Sequence, residues 1–122
     1  IAGQIGSQTD PPYSAAKAGL INFTQCAARD FAEHGIRVNS IAPGMVKTAL
    51  NKSVWEAWHA RQDPSEQLDY EEWAQSKIQV AAPLGRWQQV EDVAQMVVML
   101  ASNQSQNITG QTINVDGGQV MH

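Results

Sequence analysis

Two short runs rich in β-branched residues, 36–41 and 111–116, are the segments of this 122-residue sequence that are typical of β-strands. Helical patterns fill most of the chain between them, and helices that alternate with strands indicate an α/β layer with parallel strands. Two strands are too few for a doubly wound domain, whose sheet usually has about five or six. The sequence therefore predicts an α/β fold that corresponds to half of such a domain.

The first helix is predicted to begin at Pro11, after a loop over residues 1–12 that is rich in Gly, Ser, Gln and Pro. Apolar residues then recur at three- and four-residue steps, which predicts one buried stripe, and Gly35 is expected to end the helix. The stripe consists of Ala16, Leu20, Phe23, Ala27 and Phe31. The turn 42–44 is expected to end the strand that follows.

Three further helices are predicted, over residues 51–61, 68–80 and 89–102. The segment that contains the first two is rich in tryptophan, and two interpretations of these side chains remain open. They pack the helices onto the core, or they belong to a lid that closes over a small substrate. The tryptophans are Trp55, Trp58 and Trp73.

Composition and charge argue against several classes of function. The net charge of −4, without a run of basic residues, argues against a surface for nucleic acid or anionic membranes. The single cysteine, Cys26, excludes an internal disulfide, and the three histidines lack the spacing of metal ligands. No apolar stretch is long enough to span a membrane and no leader opens the chain. We therefore expect a soluble cytoplasmic protein without a metal.

Tyr13 and Lys17 stand four residues apart, which places both side chains on one face of the predicted helix. A free tyrosine titrates near pKa ~10, and a fixed cation nearby favours the phenolate. Such a pair can exchange a proton with a carbonyl or alcohol oxygen. The spacing alone is more often that of a surface tyrosine and a solvated lysine, so the interpretation depends on the rest of the chain.

Four motifs, in this order, resemble the C-terminal half of the short-chain dehydrogenase/reductase family. They are Pro-Tyr-Ser-Ala-Ala-Lys-Ala-Gly, Ile-Arg-Val-Asn-Ser-Ile-Ala-Pro-Gly, Pro-Leu-Gly-Arg followed by Glu-Asp-Val-Ala, and Ile-Thr-Gly-Gln leading to Val-Asp-Gly-Gly; they occupy residues 12–19, 36–44, 83–94 and 108–118. The resemblance covers nearly the whole chain and departs from the family pattern only at about residues 51–82, where members differ according to substrate.

This resemblance implies a Rossmann-type doubly wound parallel sheet that binds NAD or NADP. It implies that Tyr13 is the general acid/base and that Lys17 hydrogen-bonds the nicotinamide ribose. It also implies that a loop after the first strand meets the nicotinamide, with the Val46 backbone and the Thr48 hydroxyl at the carboxamide. The residues of this loop are Pro43, Gly44, Met45, Val46 and Thr48.

Several parts of the family pattern are not found in this sequence. The Gly-rich phosphate turn, the asparagine motif and the residue that separates NAD from NADP belong to the N-terminal half, and the catalytic serine would stand immediately before Ile1. Ser7 is too close to Tyr13 for that role and is interpreted as a loop serine at the substrate mouth. We therefore expect residues 1–122 to be the C-terminal half of one domain, with a lid segment at about residues 45–84, and to be inactive alone.

The expected activity of the intact protein is NAD(P)-linked interconversion of a secondary alcohol and a ketone. The long lid segment, with Trp55 and Trp58 as candidate substrate residues, resembles those of sugar-alcohol and polyol dehydrogenases. A 3-oxoacyl thioester reductase and a non-catalytic oligomerisation module are the alternatives. The family commonly forms tetramers through the helix that carries the tyrosine, and the face at Phe23 and Phe31 suits such a contact, so a homo-oligomer is expected.

Overall fold

The structure is a computed structural model and describes residues 1–6 and 10–121. In these residues, five α-helices and two β-strands follow one another in the order α1, α2, β1, α3, α4, α5, β2, which confirms the α/β prediction. Their bounds are Ala2–Ile5, Pro11–Asp30, Ser40–Pro43, Ala49–His59, Tyr70–Ala81, Val90–Ala101 and Thr112–Val115. Single 3₁₀ turns follow α2 and α5. Ser7 lies outside the described residues.

The two strands pair in parallel, with Ser40 opposite Thr112 and Pro43 opposite Val115. Their ends are joined by hydrogen bonds from the Gly44 amide to the Val115 carbonyl (3.0 Å) and between the Ser40 and Thr112 hydroxyls (2.7 Å). Because side-to-side alternation turns the Pro43 nitrogen away from β2, the missing donor of proline interrupts no ladder bond. Within the described part of the chain, the other edge of β1 carries no strand.

The predicted strand 36–41 is displaced toward the C-terminus, and the turn 42–44 does not end it at Ala42. Residues 37–39 are held by side chains instead of a ladder: Arg37 donates to three carbonyls, and Asn39 bonds the backbone at positions 108 and 111. On the side of β2, the Ile108 carbonyl and the Gln111 amide are thereby occupied by side chains. Regular pairing therefore starts only at Ser40.

Local capping explains where the helices begin and end. The Asp10 carboxylate accepts a hydrogen bond from the Tyr13 amide (3.0 Å), and two prolines occupy the first positions of α2. Asp69 and Glu72 form a reciprocal capping box at the start of α4. Gly35, with φ of 68°, ends the 3₁₀ turn after α2. The loop predicted for residues 1–12 is partly wrong, because residues 2–5 form the single turn α1.

The predicted buried stripe of α2 is wrong for its large members. Leu20, Phe23 and Phe31 are 54%, 67% and 45% exposed. The residues that α2 buries are small, namely Ser14, Thr24, Ala27 and Ala28. Helical periodicity shows which face of a helix is apolar but does not supply the surface that covers it, and a sheet of two strands is too narrow to cover this one.

The largest core cluster lies in the lid segment, not beneath α2. Trp73, Ala74 and Ile78 of α4 are buried together with Ala82 just beyond it. The partly buried side chains packed around them come from α3, from the loop before α4, from the first residue of α4, and from the segments after β1 and before α5; they are Met45, Trp55, Trp58, Leu68, Tyr70 and Trp87. This cluster fixes α3 and α4 against the chain that leaves β1.

Candidate active site

A cavity of about 330 Å³ lies between α2, α1 and the open edge of β1. Its lining brings together four of the residues predicted from the sequence to form the site. They are Tyr13 and Lys17 from α2, Pro43 from the end of β1, and Gly44 directly after it. Residues that are 26 or more positions apart in the chain thus meet at the carboxyl end of β1, the edge at which open α/β sheets bind ligands.

Tyr13 and Lys17 interact directly in this cavity. The Lys17 ammonium nitrogen lies 5.3 Å from the centre of the Tyr13 ring, within the range of a cation–π contact. Tyr13 is 50% exposed, so its phenol is open to a ligand in the cavity. The pair therefore has the adjacency that the spacing of four predicts, and its hydroxyl and ammonium both remain available for hydrogen bonds.

Helix α1 closes one side of the cavity and was not foreseen in the sequence. A Cβ added to Gly3 would lie 2.5 Å from the carbonyl carbon of Lys17 and 2.6 Å from the Ala18 nitrogen, so the two backbones touch. The Ile1 nitrogen donates to the Pro43 carbonyl oxygen (3.2 Å). Residues 1–3 therefore sit between α2 and β1 and set the distance between the Tyr13–Lys17 pair and the end of the strand.

Gly44 is required by close packing at the carboxyl end of the sheet. A Cβ at this position would lie 2.8 Å from the Asp116 Cα and 2.5 Å from the Gln88 Oε1. Asp116 is buried, and its carboxylate accepts hydrogen bonds from the amides of Gly118 (2.9 Å) and Val120 (2.8 Å). The turn after β2 is thereby held against Gly44, which leaves the first residue beyond β1 without room for a side chain.

The rest of the predicted cofactor loop continues away from the cavity. Val46 forms a parallel bridge with Gln88, and its carbonyl accepts a hydrogen bond from the Asn51 side-chain amide (2.5 Å). The Thr48 hydroxyl oxygen caps α3 by accepting from the Asn51 amide (3.4 Å). Met45 packs against the lid cluster. None of the three lines the 330 Å³ cavity, and the part that Asn51 plays was missed because its sequence position gives no signal for it.

Trp55 and Trp58 pack within the lid segment and do not line the cavity at Tyr13. The indole nitrogen of Trp55 donates to the Leu68 carbonyl (3.1 Å), and its ring lies 5.7 Å from that of Tyr70. The Trp58 and Trp73 rings are 6.3 Å apart. These contacts correspond to the packing interpretation of the tryptophans, which bury their rings against each other and satisfy one polar handle locally.

A polar group joins the start of α4 to the chain before α3 and to the chain before α5. The Glu71 carboxylate in the first turn of α4 accepts hydrogen bonds from the Lys47 ammonium and, at 3.1 Å, from the Trp87 indole nitrogen. These two hydrogen bonds lower the pKa of Glu71 below its ordinary value of 4.5, the bond from Lys47 contributing most. No sequence pattern pointed to this group, because its members are 16 or more residues apart.

No cluster of three or more His, Cys, Asp or Glu side chains that could hold a metal ion occurs in residues 1–6 and 10–121. No helix in that part of the chain combines the length and the hydropathy needed to cross a membrane.

Known proteins resemble this chain in sequence and in fold. A family model described as "Enoyl-(Acyl carrier protein) reductase" matches residues 1–120. The chain is 38% identical over 121 residues to the (3R)-3-hydroxyacyl-CoA dehydrogenase of Homo sapiens, covering 99% of this chain and 40% of that protein.

Two solved structures superpose over nearly the whole chain. L-sorbose reductase from Gluconobacter frateurii, solved with NADPH and L-sorbose, has a TM-score of 0.90 at 26% identity, covering 100% of this chain and 45% of that one. Sorbitol-6-phosphate 2-dehydrogenase from Erwinia amylovora has a TM-score of 0.85 at 34% identity, covering 99% and 46%. The chain thus spans less than half the length of the proteins that it matches.

Proposed function

Because this chain belongs to the short-chain dehydrogenase/reductase family, we propose that it forms the C-terminal half of an NAD(P)-dependent oxidoreductase that interconverts a secondary alcohol and a ketone. One observation carries this proposal: a single cavity gathers the Tyr13–Lys17 pair and the Pro43–Gly44 turn. Packing alone does not require a half-exposed tyrosine beside a lysine at the carboxyl end of a strand. The other half of the dinucleotide site comes from residues outside this chain.

The residues around the cavity fit a nicotinamide dinucleotide. Gly44 leaves no side chain between the backbone and a flat ring, and the Lys17 ammonium can donate to ribose hydroxyls. The Val46 amide points away from Gln88, because the bridge uses the amides of Gln88 and Lys47. The Thr48 hydroxyl accepts from Asn51 and keeps its hydrogen to donate. Both groups are suited to a carboxamide.

In this proposal Tyr13 handles the proton and Lys17 supports it. The bound dinucleotide supplies or accepts the hydride. As a carbonyl is reduced, the Tyr13 hydroxyl gives its proton to the developing alkoxide oxygen, and in the reverse direction the phenolate accepts that proton. The positive charge of Lys17, 5.3 Å from the ring centre, favours the phenolate that this exchange creates.

We place the substrate first among polyols and ketoses. Support comes from the two structural neighbours, both of which act on a sugar or sugar alcohol by their names. The human relative is named for an acyl-CoA substrate, so a 3-oxoacyl thioester is the second candidate. In either case the lid segment and Ser7 would contact the substrate. Trp55 and Trp58 would shape the lid through their packing inside it.

We further propose that the whole protein is a cytoplasmic homo-oligomer, a tetramer or a dimer. The apolar face of α2 at Leu20, Phe23 and Phe31 is exposed in this chain and supports an association through that helix. Light scattering on the purified whole protein tests the oligomeric state, and a monomer would contradict it.

The activity is tested by offering the whole protein NADH or NADPH with two sets of carbonyl substrates. One set contains ketoses such as L-sorbose, and the other contains acetoacetyl thioesters. We expect dinucleotide oxidation with at least one ketose, at a higher kcat/KM than with any thioester. Preference for the thioester would transfer the assignment to the second candidate, and failure to bind either dinucleotide would contradict the proposal itself.

A further inference from the structure

Three separate parts of the chain meet at Glu71. Lys47 lies in the segment that leaves β1, Glu71 in the first turn of α4, and Trp87 three residues before α5. One carboxylate oxygen accepts from the Lys47 ammonium, and the other accepts from the Trp87 indole nitrogen at 3.1 Å. The Lys47 ammonium also lies 6.0 Å from the centre of the Trp87 ring. A single carboxylate thus ties the start of α4 to the chain before α3 and to the chain before α5.

The backbones that carry Lys47 and Trp87 are already paired. The Lys47 amide donates to the Gln88 carbonyl (3.0 Å), and the Gln88 amide donates to the Met45 carbonyl (3.2 Å). Segment 45–47 and segment 87–88 therefore form one unit, which stands next to Gly44. The Glu71 side chain attaches the start of α4 to that unit, where the Tyr70 and Trp87 rings also lie 5.6 Å apart. The apolar cluster that includes Trp73 and Ile78 holds the rest of α4.

The exposure of the Lys47 and Glu71 side chains favours a role in positioning the backbone over a role in global stability. The Lys47 and Glu71 side chains are 41% and 58% exposed. Exposed ion pairs contribute little to global stability, because solvent screens them and holding two long side chains costs entropy. The geometry nevertheless constrains where the first turn of α4 lies relative to Val46 and Thr48, the two positions that the proposed function assigns to the nicotinamide carboxamide.

We propose that Glu71 is a positioning residue, which through Lys47 and Trp87 couples the start of the lid helix α4 to the cofactor-contacting segment 43–48. This inference rests on the proposed function. Loss of the carboxylate leaves the fold intact, loosens the first turn of α4, and weakens dinucleotide binding through the segment that Lys47 anchors.

The test is a double-mutant cycle in the whole protein with Lys47→Met, Glu71→Gln and both together. The readouts are the Kd for NADH or NADPH, measured by equilibrium titration, and hydrogen exchange of the amides in residues 45–48 and 70–74. Each single variant is expected to raise the Kd by about three- to tenfold, and the double variant by no more than the larger single effect. The hydrogen exchange rates of the amides in residues 45–48 and in residues 70–74 should rise in each variant.

Two controls keep the outcome specific. Glu91→Gln removes a carboxylate from the first turn of α5, as Glu71→Gln does from α4. It should change neither the Kd for the dinucleotide nor amide exchange in residues 45–48. Lys47→Arg keeps the charge and should restore both readouts. Additive losses in the cycle, or unchanged exchange at residues 70–74, would overturn the coupling. Because exchange is measured without dinucleotide, failure of the coupling is distinguishable from failure of the proposed activity, which would appear as absent binding in the unaltered protein.

Discussion

Gly3 and Lys17 touch backbone to backbone, since a Cβ placed on Gly3 would lie 2.5 Å from the Lys17 carbonyl carbon. This packing sets the position of α1 against α2 and thereby the width of the cavity that contains Tyr13 and Pro43. A residue without a side chain therefore determines how the Tyr13–Lys17 pair faces the sheet.

Replacing Gly3 with alanine should separate α1 from α2. We expect Gly3→Ala to lower the free energy of unfolding of the whole protein by about 1–3 kcal/mol, because the added methyl group overpacks a contact made of backbone atoms. Urea unfolding measures this effect, and kcat/KM should fall with it. Gly19→Ala is the matched control, because no atom of the described residues lies within 4 Å of a Cβ added at Gly19. Equal stability of the two variants would contradict the packing account.

Arg37 is expected to stabilise the fold at a place remote from the cavity. Its guanidinium donates to the carbonyls of Leu100 (2.6 Å), Ser102 (3.2 Å) and Ile108 (3.1 Å), at and beyond the C-terminal end of α5. Arg37→Met should destabilise the protein by about 2 kcal/mol, because charge-assisted bonds to three carbonyls are lost. The control Arg61→Met, at an exposed position, should change stability by less than about 0.5 kcal/mol. Similar unfolding midpoints for both variants would show that this cap is dispensable.

Features that depend on neighbouring residues in the chain could be predicted from the sequence. The starts of α2 and α4 are local, because Asp10, the two prolines and the Asp69–Glu72 box act within one turn. The Tyr13–Lys17 adjacency is local for the same reason. The face of α2 was correctly recognised as apolar, but the exposure of Phe23 was not, since burial depends on what packs there and no periodicity supplies that information.

Features that depend on distant partners could not be predicted. The strand begins at Ser40 and not at Ile36, because the Arg37 and Asn39 side chains donate hydrogen bonds to a backbone carbonyl about 70 positions away along the chain. The parts played by Gly3 and Glu71 likewise arise from contacts across the fold. The resemblance to a family supplied the cofactor loop, and the structure adds that Thr48 also caps α3 and that Asn51 holds the Val46 carbonyl.

The lowered pKa of Glu71 predicts a pH dependence. A carboxylate whose folded pKa lies below its unfolded value of 4.5 contributes stability that is complete above that pH and is lost as the pH falls through the folded pKa. The difference in unfolding free energy between the unaltered protein and Glu71→Gln should therefore be small, because the pair is exposed, and should decrease further as the pH falls below 4.5. A difference that stays constant down to pH 3 would mean that Lys47 and Trp87 do not stabilise the ionised carboxylate.

Lys17→Met should weaken dinucleotide binding and slow turnover together, because the same ammonium donates to the ribose and favours the Tyr13 phenolate in the proposed site. We expect the Kd for the dinucleotide to rise by about tenfold, the free-energy equivalent of one charge-assisted hydrogen bond. Lys52→Met, an exposed lysine of α3, is the control for the change in net charge. An unchanged Kd in Lys17→Met would remove the ribose contact from the account.

The central claim is that Tyr13 exchanges the substrate proton. Tyr13→Phe in the whole protein keeps the ring beside the Lys17 ammonium and removes only the hydroxyl, so steady-state kinetics and a dinucleotide titration on this variant test the claim most directly. We expect kcat to fall by about 10²–10⁴-fold, while the Kd for the dinucleotide stays within about twofold of its original value, a difference of less than about 0.5 kcal/mol. Turnover at the original rate in Tyr13→Phe would contradict the claim.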